Sequence, residues 1–392
     1  MPQRYVYLDY AASAPMCEEA LRAEADYASS RIAGANPNSL HTLGREADRA
    51  LDGARRDLAR CLGGSFRPAD VTFTSGGTES NNLALFGMAT GARDRDRRRT
   101  RVVVSAIEHD SELDVIPALR DRGFEVSLVS PDRDGVVTVE AVRELMGNDV
   151  ALVSVMAANN ETGIVQPVGQ IAKAAHDAGA LFHTDAAQAF GKVPLDLADV
   201  DAVSLGAHKI GGPVGIGALA IRGRCPLRPQ TFGGGQEQGR RPGTQSVRDA
   251  LAFAASARAC FADLEVTART VRDRAAALTD RLCAEGTGIV ATSSVPVGPA
   301  RLPGIVSVMA PGLDSETLIL KLDQEGFEVS AGSACSSGSL DASHVLTAMG
   351  IPREQALGSL RVSFDQRVPQ DDLDAFASAL LGIVAAERGT TR

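Results

Sequence analysis

Short apolar runs recur between Val71 and Arg222, most of them separated by stretches with helical spacing. Val71–Thr74, Val102–Ser105, Glu125–Val129, Val150–Val155, Leu181–Asp185, Ala202–Leu205 and Ala218–Ile221 are strand-length runs. Polar or turn-forming residues bound them, which predicts β-strands. Ile171–Ala178, closed by Gly179, is one of the intervening helices. The alternation predicts an α/β domain around a mainly parallel sheet. Ligands of such sheets gather at the carboxyl ends of the strands. Ser75-Gly76-Gly77-Thr78, Glu108-His109, Asn159-Asn160, Asp185 and His208-Lys209 all fall there. A long helical pattern from Ser246 to Ala284 leads into a smaller α+β region that begins near Val266. Its strands are expected at Ile305–Met309 and Leu360–Phe364, its helices near Ser315–Gln324 and Asp371–Ala386, and a frayed tail at Gly389–Arg392.

A chain of 392 residues suits one large domain with a smaller one. No apolar run approaches the ~18 residues of a membrane span, and Met1–Asp9 lacks a hydrophobic signal region. The expected location is cytoplasmic. A formal charge of −9 argues against direct nucleic-acid binding. The arginine run Arg93–Arg101 is interleaved with aspartates and has no aromatics, so it is read as a solvated loop. Six cysteines without CxxC spacing indicate neither a metal site nor a disulfide framework. Cys61 and Cys260 lie in helical patterns and are expected as small core residues.

Candidate chemistry begins at Lys209, which ends an apolar approach and runs into Gly211, Gly212, Gly215 and Gly217. A lysine lodged there can lose its proton readily, as Schiff-base chemistry requires. Thr74–Asn81 joins a strand to a helix through small residues. It is either a phosphate cradle at a helix N-terminus or a simple capping box. Without a terminal Gly-Lys-Ser/Thr it is no triphosphate loop. Asp185 ends a buried run and is either a helix cap or the partner of a protonated pyridine nitrogen. It precedes Lys209 by 209 − 185 = 24 residues, about one strand–helix–strand excursion. An amine, an acid and a phosphate cradle together are the set that pyridoxal 5'-phosphate needs. His109 is either structural or a ring that stacks on a planar cofactor. Cys335 stands in Ser330–Ser339 among Gly, Ser and Ala, and reads as an exposed, mobile nucleophile.

With these residues in place the chain resembles the cysteine desulfurase family, in its NifS- and IscS-like group with a long flexible cysteine loop. Tyr7–Ala12, Asn36–Ser39, Thr74–Glu79, Asn159–Gly163, His208-Lys209, Gly233–Glu237, Arg241–Thr244, Gly332–Cys335 and Leu360–Phe364 carry the resemblance. It implies a fold-type-I pyridoxal phosphate enzyme, normally a homodimer with active sites at the subunit interface. It divides the chain into an N-terminal segment (1–15) packing with the small domain, a large domain (16–262), and a small domain (263–392) carrying the Cys335 loop. By the same resemblance Lys209 anchors the cofactor, His109 stacks on its ring and Asp185 pairs with the ring nitrogen. Gln188 and Asn160 lie near the ring oxygen and substrate. Gly77, Thr78 and His208 contact the phosphate, with Thr244 arriving from the partner subunit. Arg361 clamps the substrate carboxylate, and Asn36 belongs to the loop at the substrate mouth.

The implied reaction takes sulfur from L-cysteine onto Cys335 as a persulfide, releases L-alanine and hands the sulfur to an acceptor protein. Iron–sulfur assembly, tRNA thiolation, DNA phosphorothioation and sulfur-containing natural products are the open destinations. A selenocysteine or cystine lyase of the same fold is the alternative, and Cys335 in its loop speaks against it. A catalytically inactive sulfur-acceptor scaffold is opposed by the presence of both Lys209 and Cys335. A Rossmann dehydrogenase fails for want of a strand–GxGxxG–helix unit. Three positions depart from the family pattern: Gly206, where a Ser or Thr often meets the phosphate, Ala157 and Asp365.

Overall fold

Val102 and Val104 face one side of a sheet while Val103 faces the other, and all three are buried. Burial on both faces is why these strands read as continuous apolar runs rather than alternating ones. The computed structural model describes residues 5–332 and 342–390. Its large sheet is formed by β2 (Val71–Thr74), β3 (Arg101–Ser105), β4 (Glu125–Val129), β5 (Val150–Ser154), β6 (Leu181–Asp185), β7 (Ala202–Gly206) and β8 (Gly217–Ile221). Their order is β2-β8-β7-β6-β5-β3-β4. All run parallel except β8, which is antiparallel to both neighbours. The expected strands therefore hold with boundary shifts of one residue.

A second layer follows the helical stretch, which divides at Asp263 into Val247–Ala262 and Leu264–Leu282. Strands β9 (Val290–Ala291), β10 (Ile305–Met309), β12 (Ser330–Ala331) and β13 (Ser359–Ser363) form an antiparallel sheet in the order β12-β13-β10-β9. The N-terminal strand β1 (Val6–Tyr7) pairs in parallel with β11 (Phe327–Glu328). Leu8 and Tyr10 pack in the same apolar cluster as Val271, Val306, Val362, Phe376 and Leu380. The segment Val6–Tyr10 thus packs in the core of the C-terminal region before the chain crosses to the large sheet.

Two expectations change. The last helix runs Gln370–Thr390, so Gly389 belongs to it rather than to a frayed tail. The arginine run is not one solvated loop: Arg93 and Arg95 lie in the helix Gly77–Arg95, and Arg101 opens β3. Arg101 pairs with Asp149 at 2.8 Å, and Arg99 donates to the carbonyls of Val150 and Ala178. These arginines tie segment ends together. No helix among the described residues is long and apolar enough to cross a membrane, and no described cluster could hold a metal ion. The five described cysteines are unpaired and half-buried.

Candidate functional site

β7 passes through Gly206 into the short 3-10 helix Ala207–Ile210, which Gly211 closes at φ +74°. A Cβ on Gly211 would lie 3.2 Å from the Pro15 carbonyl, so glycine suits both the turn and the close approach. Lys209 is carried on this turn, and its Nζ donates to the carbonyls of Ala11 and Ala12, each at 2.8 Å. The Ala11 carbonyl also accepts Gln188 Nε2 at 2.8 Å, while Lys192 Nζ donates to Gln188 Oε1 at 3.2 Å. Lys192 was not singled out in the sequence. As a donor-only group it fixes which way the Gln188 amide points. Burial first, and then the positive charge of Lys209, pushes the Lys192 ammonium down to about 8. Burial, with Lys209 and Lys192 behind it, lowers His208 to about 4, so that imidazole is neutral at neutral pH.

Asp185 ends β6 and is buried. Its carboxylate accepts Asn81 Nδ2 at 2.7 Å and the Ala187 N–H at 2.8 Å, with no ion pair among the described residues. His109 caps the short helix Asp110–Leu113, with its Nδ1 accepting the Ser111 N–H at 3.0 Å.

Behind them lie two fully buried carboxyls, Glu108 and Glu112. Burial raises Glu108 to about 8, and nearby Asp185 adds to this against hydrogen bonds from Ser105 and Met156. Burial, then Glu108 and Asp185, drives Glu112 well above the usual carboxylate range. Burial also holds His183, which bridges the hydroxyls of Ser154 and Ser204, near 3. Glu108, Glu112 and His183, which form the floor of the site, are therefore neutral at pH 7.

This floor has a stability consequence. Glu108 binds a proton in the folded chain that the unfolded chain has released above about 4.5. Between there and about 8 the folded state holds more protons, so stability falls as pH rises through that window. Glu108→Gln keeps a neutral side chain and is expected to flatten that decline. Thermal melts from pH 5 to 8 should show the variant gaining on the native chain as pH rises. A constant offset across the range would refute the neutral floor.

The helix Gly77–Arg95 starts from Gly76 with no side-chain cap, leaving its first N–H groups available to an anion. A Cβ on Gly77 would find only Ala187 Cβ, at 3.9 Å, and one on Gly206 would find nothing nearer than 3.8 Å, again at Ala187. An open cradle therefore lies among Gly77, Ala187, Gly206 and His208. Together with the Lys209 amine and the buried Asp185 carboxylate it fits a planar, phosphorylated pyridine aldehyde such as pyridoxal phosphate. Gly206 has extended backbone (φ −124°, ψ 121°) that any residue can adopt, so a side chain fits there and the hydroxyl is simply missing. Gly206→Ser is expected to slow loss of pyridoxal phosphate about tenfold, the worth of one hydrogen bond to a charged group. Retention of cofactor absorbance during dialysis measures it, and unchanged retention would count against the cradle.

Arg361 lies on β13, buried, with Nη2 on Asp9 Oδ1 at 2.8 Å and Nη1 on the Asn160 carbonyl at 3.2 Å. Its Nε is buried without a partner among the described residues, an orphan donor suited to an incoming carboxylate. Asp9 also accepts the Ser330 hydroxyl at 2.7 Å, and Ser330 stands opposite Arg361 in the β12–β13 ladder. The structure thus brings together Lys209, Gln188, His208, Asp185 and His109 around the strand ends, with Gly77 and Thr78 at the cradle. Arg361 and the Asn160 backbone meet beside Asp9.

Asn36 and Thr244 are exposed and belong to a separate group. Asn36 accepts from Asn38, whose amide donates to Gln245 Oε1 at 2.9 Å. That loop is anchored by Glu237, which sits at φ +50° and takes the Phe73 N–H and Arg55, and by Arg241 on Glu79 at 3.0 Å. Cys335 lies outside the described residues. Asn81, Ser111, Lys192 and Asp9 are the functional neighbours that sequence reasoning passed over. Asp9 did fall inside the matched run Tyr7–Ala12, and Asn81 ended the strand-to-helix stretch Thr74–Asn81, the signals by which they could have been found.

The aminotransferase class-V family model matches residues 6–376. An IscS-like cysteine desulfurase of Mycobacterium tuberculosis is 40% identical, covering 97% of each chain. Among solved structures, a NifS-like protein superposes with a TM-score of 0.87 at 32% identity, covering 97% of this chain and 99% of that one. A structure described as SspA in complex with cysteine gives 0.76 at 30% identity, over 91% and 98% of the two chains.

Proposed function

This chain belongs to the aminotransferase class-V family and is a fold-type-I, pyridoxal 5'-phosphate-dependent cysteine desulfurase, and from that premise we propose how its residues divide the work. Lys209 carries the cofactor on its Nζ, leaving the Ala11 and Ala12 carbonyls to do so. Asp185 would pair with the ring nitrogen, and His109 would stack on the ring. Gln188 and Asn160 border the ring oxygen and substrate. The open helix start at Gly77 and Thr78, with neutral His208 as a hydrogen-bonding group, receives the phosphate. Thr244 completes the same site in the partner subunit of a homodimer, and Asn36 lies at its mouth. When bound, the cofactor supplies an electron sink that weakens the bonds at Cα and Cβ of the attached amino acid.

Arg361 orients the substrate by its carboxylate, presenting Nε, while Asp9 holds the guanidinium from the opposite side. Lys209 Nζ is the group that would move the Cα proton of the bound substrate. The Cys335 thiolate then attacks the substrate sulfur. Its S–S bond forms as the Cβ–S bond breaks, and the electron pair of that bond stays with carbon. The carbon takes a proton, and L-alanine leaves. Cys335 retains the sulfur as a persulfide and passes it to an acceptor protein in the cytoplasm.

The observation that carries this reading is the pairing of Ser330 with Arg361. Cys335 follows Ser330 by 335 − 330 = 5 residues in the sequence. The test is the protein loaded with pyridoxal phosphate and given L-cysteine. Alanine and protein-bound sulfane sulfur should appear one for one in the first turnover. Sulfide with pyruvate in place of alanine would overturn the assignment.

A further inference from the structure

A continuous hydrogen-bond chain joins the acid at the edge of the cofactor site to the imidazole on its face. Asn81 Nδ2 donates both of its protons, one to Asp185 Oδ2 at 2.7 Å and one to Ser111 Oγ at 2.9 Å. Ser111 Oγ lies 2.9 Å from His109 Nδ1, and the Ser111 backbone N–H points at the same nitrogen from 3.0 Å. Asn81 and Ser111 are buried, at 1% and 8% exposure, so water does not substitute for these contacts.

The direction of each bond follows from the donors available. A carboxylate can only accept, so the amine side of the Asn81 amide must face Asp185. Asn81 Oδ1 is left buried with no partner among the described residues. Leaving such an acceptor unmade costs roughly 1–3 kcal/mol. The orientation is therefore chosen by Asp185 and Ser111 against the comfort of the amide oxygen. Ser111 Oγ accepts the Asn81 proton and turns its one O–H to His109 Nδ1. That nitrogen already faces a backbone N–H and must present its lone pair. The proton of neutral His109 consequently sits on Nε2.

We propose that Asn81 and Ser111 are positioning residues that lock His109 as the Nε2–H tautomer and tie its ring to Asp185. His109 then meets cofactor and substrate as a hydrogen-bond donor through Nε2 and cannot accept a proton at that nitrogen. Asn81 makes the two groups bracketing the cofactor one rigid unit. The inference rests on the placement of the cofactor between Asp185 and His109.

The test uses the holoenzyme and apoenzyme with nitrogen-15-labelled histidine, the chain having only six histidines. His109→Gln identifies the His109 signals. The native protein should show a bare Nδ1 and a protonated Nε2. Ser111→Ala should shift the Nδ1 resonance as it loses a donor and lower kcat about tenfold with KM little changed, the worth of one strong hydrogen bond. Ser111→Thr should restore both. Asn81→Ala should reproduce the Ser111→Ala shift. A proton found on Nδ1 of the native protein overturns the proposal. So does an Nδ1 resonance and kcat untouched in Ser111→Ala and Asn81→Ala alike. Failure of the underlying placement reads differently: His109 signals would then stay fixed when pyridoxal phosphate is added, whichever tautomer they report.

Discussion

Cys335→Ser protein loaded with pyridoxal phosphate keeps the cofactor absorbance, forms no persulfide and loses alanine production by roughly 10³-fold or more. The side-chain volume barely changes, so the outcome reports chemistry. A thiol ionises near 8.5 and its thiolate is a strong nucleophile, whereas a serine hydroxyl stays protonated and does not attack sulfur. The residues proposed to hold the cofactor, Lys209, Asp185 and the Gly77 cradle, lie in the large-sheet half of the molecule and are untouched by the change. Mass spectrometry of the intact chain after L-cysteine reads the added sulfur directly. Persulfide at normal yield would place the acceptor on another thiol. Cys225 and Cys260 are poor substitutes, because burial raises both thiols to about 12. Undiminished alanine production would instead favour a lyase that needs no transferable persulfide, the selenocysteine or cystine type.

Lys209→Ala has the largest expected effect on the cofactor itself. Alanine offers no amine to hold the aldehyde, so the protein should purify colourless. After reconstitution it should bind pyridoxal phosphate only through the cradle and Asp185. Turnover should fall by about 10³-fold or more, since the proposed covalent anchor and the proposed carrier of the Cα proton go together. The fold should survive: Lys209 Nζ donates to the Ala11 and Ala12 carbonyls, which water can also satisfy, and the change removes a half-buried amine rather than opening the apolar core. Circular dichroism separates loss of chemistry from loss of structure. Retention of the cofactor band after dialysis, at native intensity, would displace Lys209 from its role.

Much of this was legible in the chain. β2, β4, β6 and β10 fall on the expected residues because each is a strand-length run bounded by turn or polar residues, whether buried throughout, as β2 and β10 are, or partly exposed at the sheet edge, as β4 is. Lys209, Asp185 and His109 stood out because each ends or follows such a run, where the sheet presents its carboxyl edge. The break at Asp263 and the anchoring role of Arg99 and Arg101 were not legible. A helical period does not reveal where one helix stops if polar residues continue it, and an arginine's partners lie far along the chain. Lys192 and Ser111 were invisible for the same reason, since their meaning lies in what they touch.

By itself, then, the sequence determined the α/β alternation, the residue types at the strand ends and the presence of an amine, an acid and a thiol fit for the chemistry. These are local properties, set by hydrophobic period and side-chain type. Only the tertiary structure decided that Asp9, from the first strand region, grips Arg361 and Ser330, and that the Ala11 and Ala12 carbonyls seat Lys209. It alone set the Asn81 amide between Asp185 and Ser111 and made Glu108 and Glu112 neutral. Hydrogen-bond direction and proton affinity depend on burial and on neighbours brought from distant parts of the chain, and those neighbours exist only once the chain has folded.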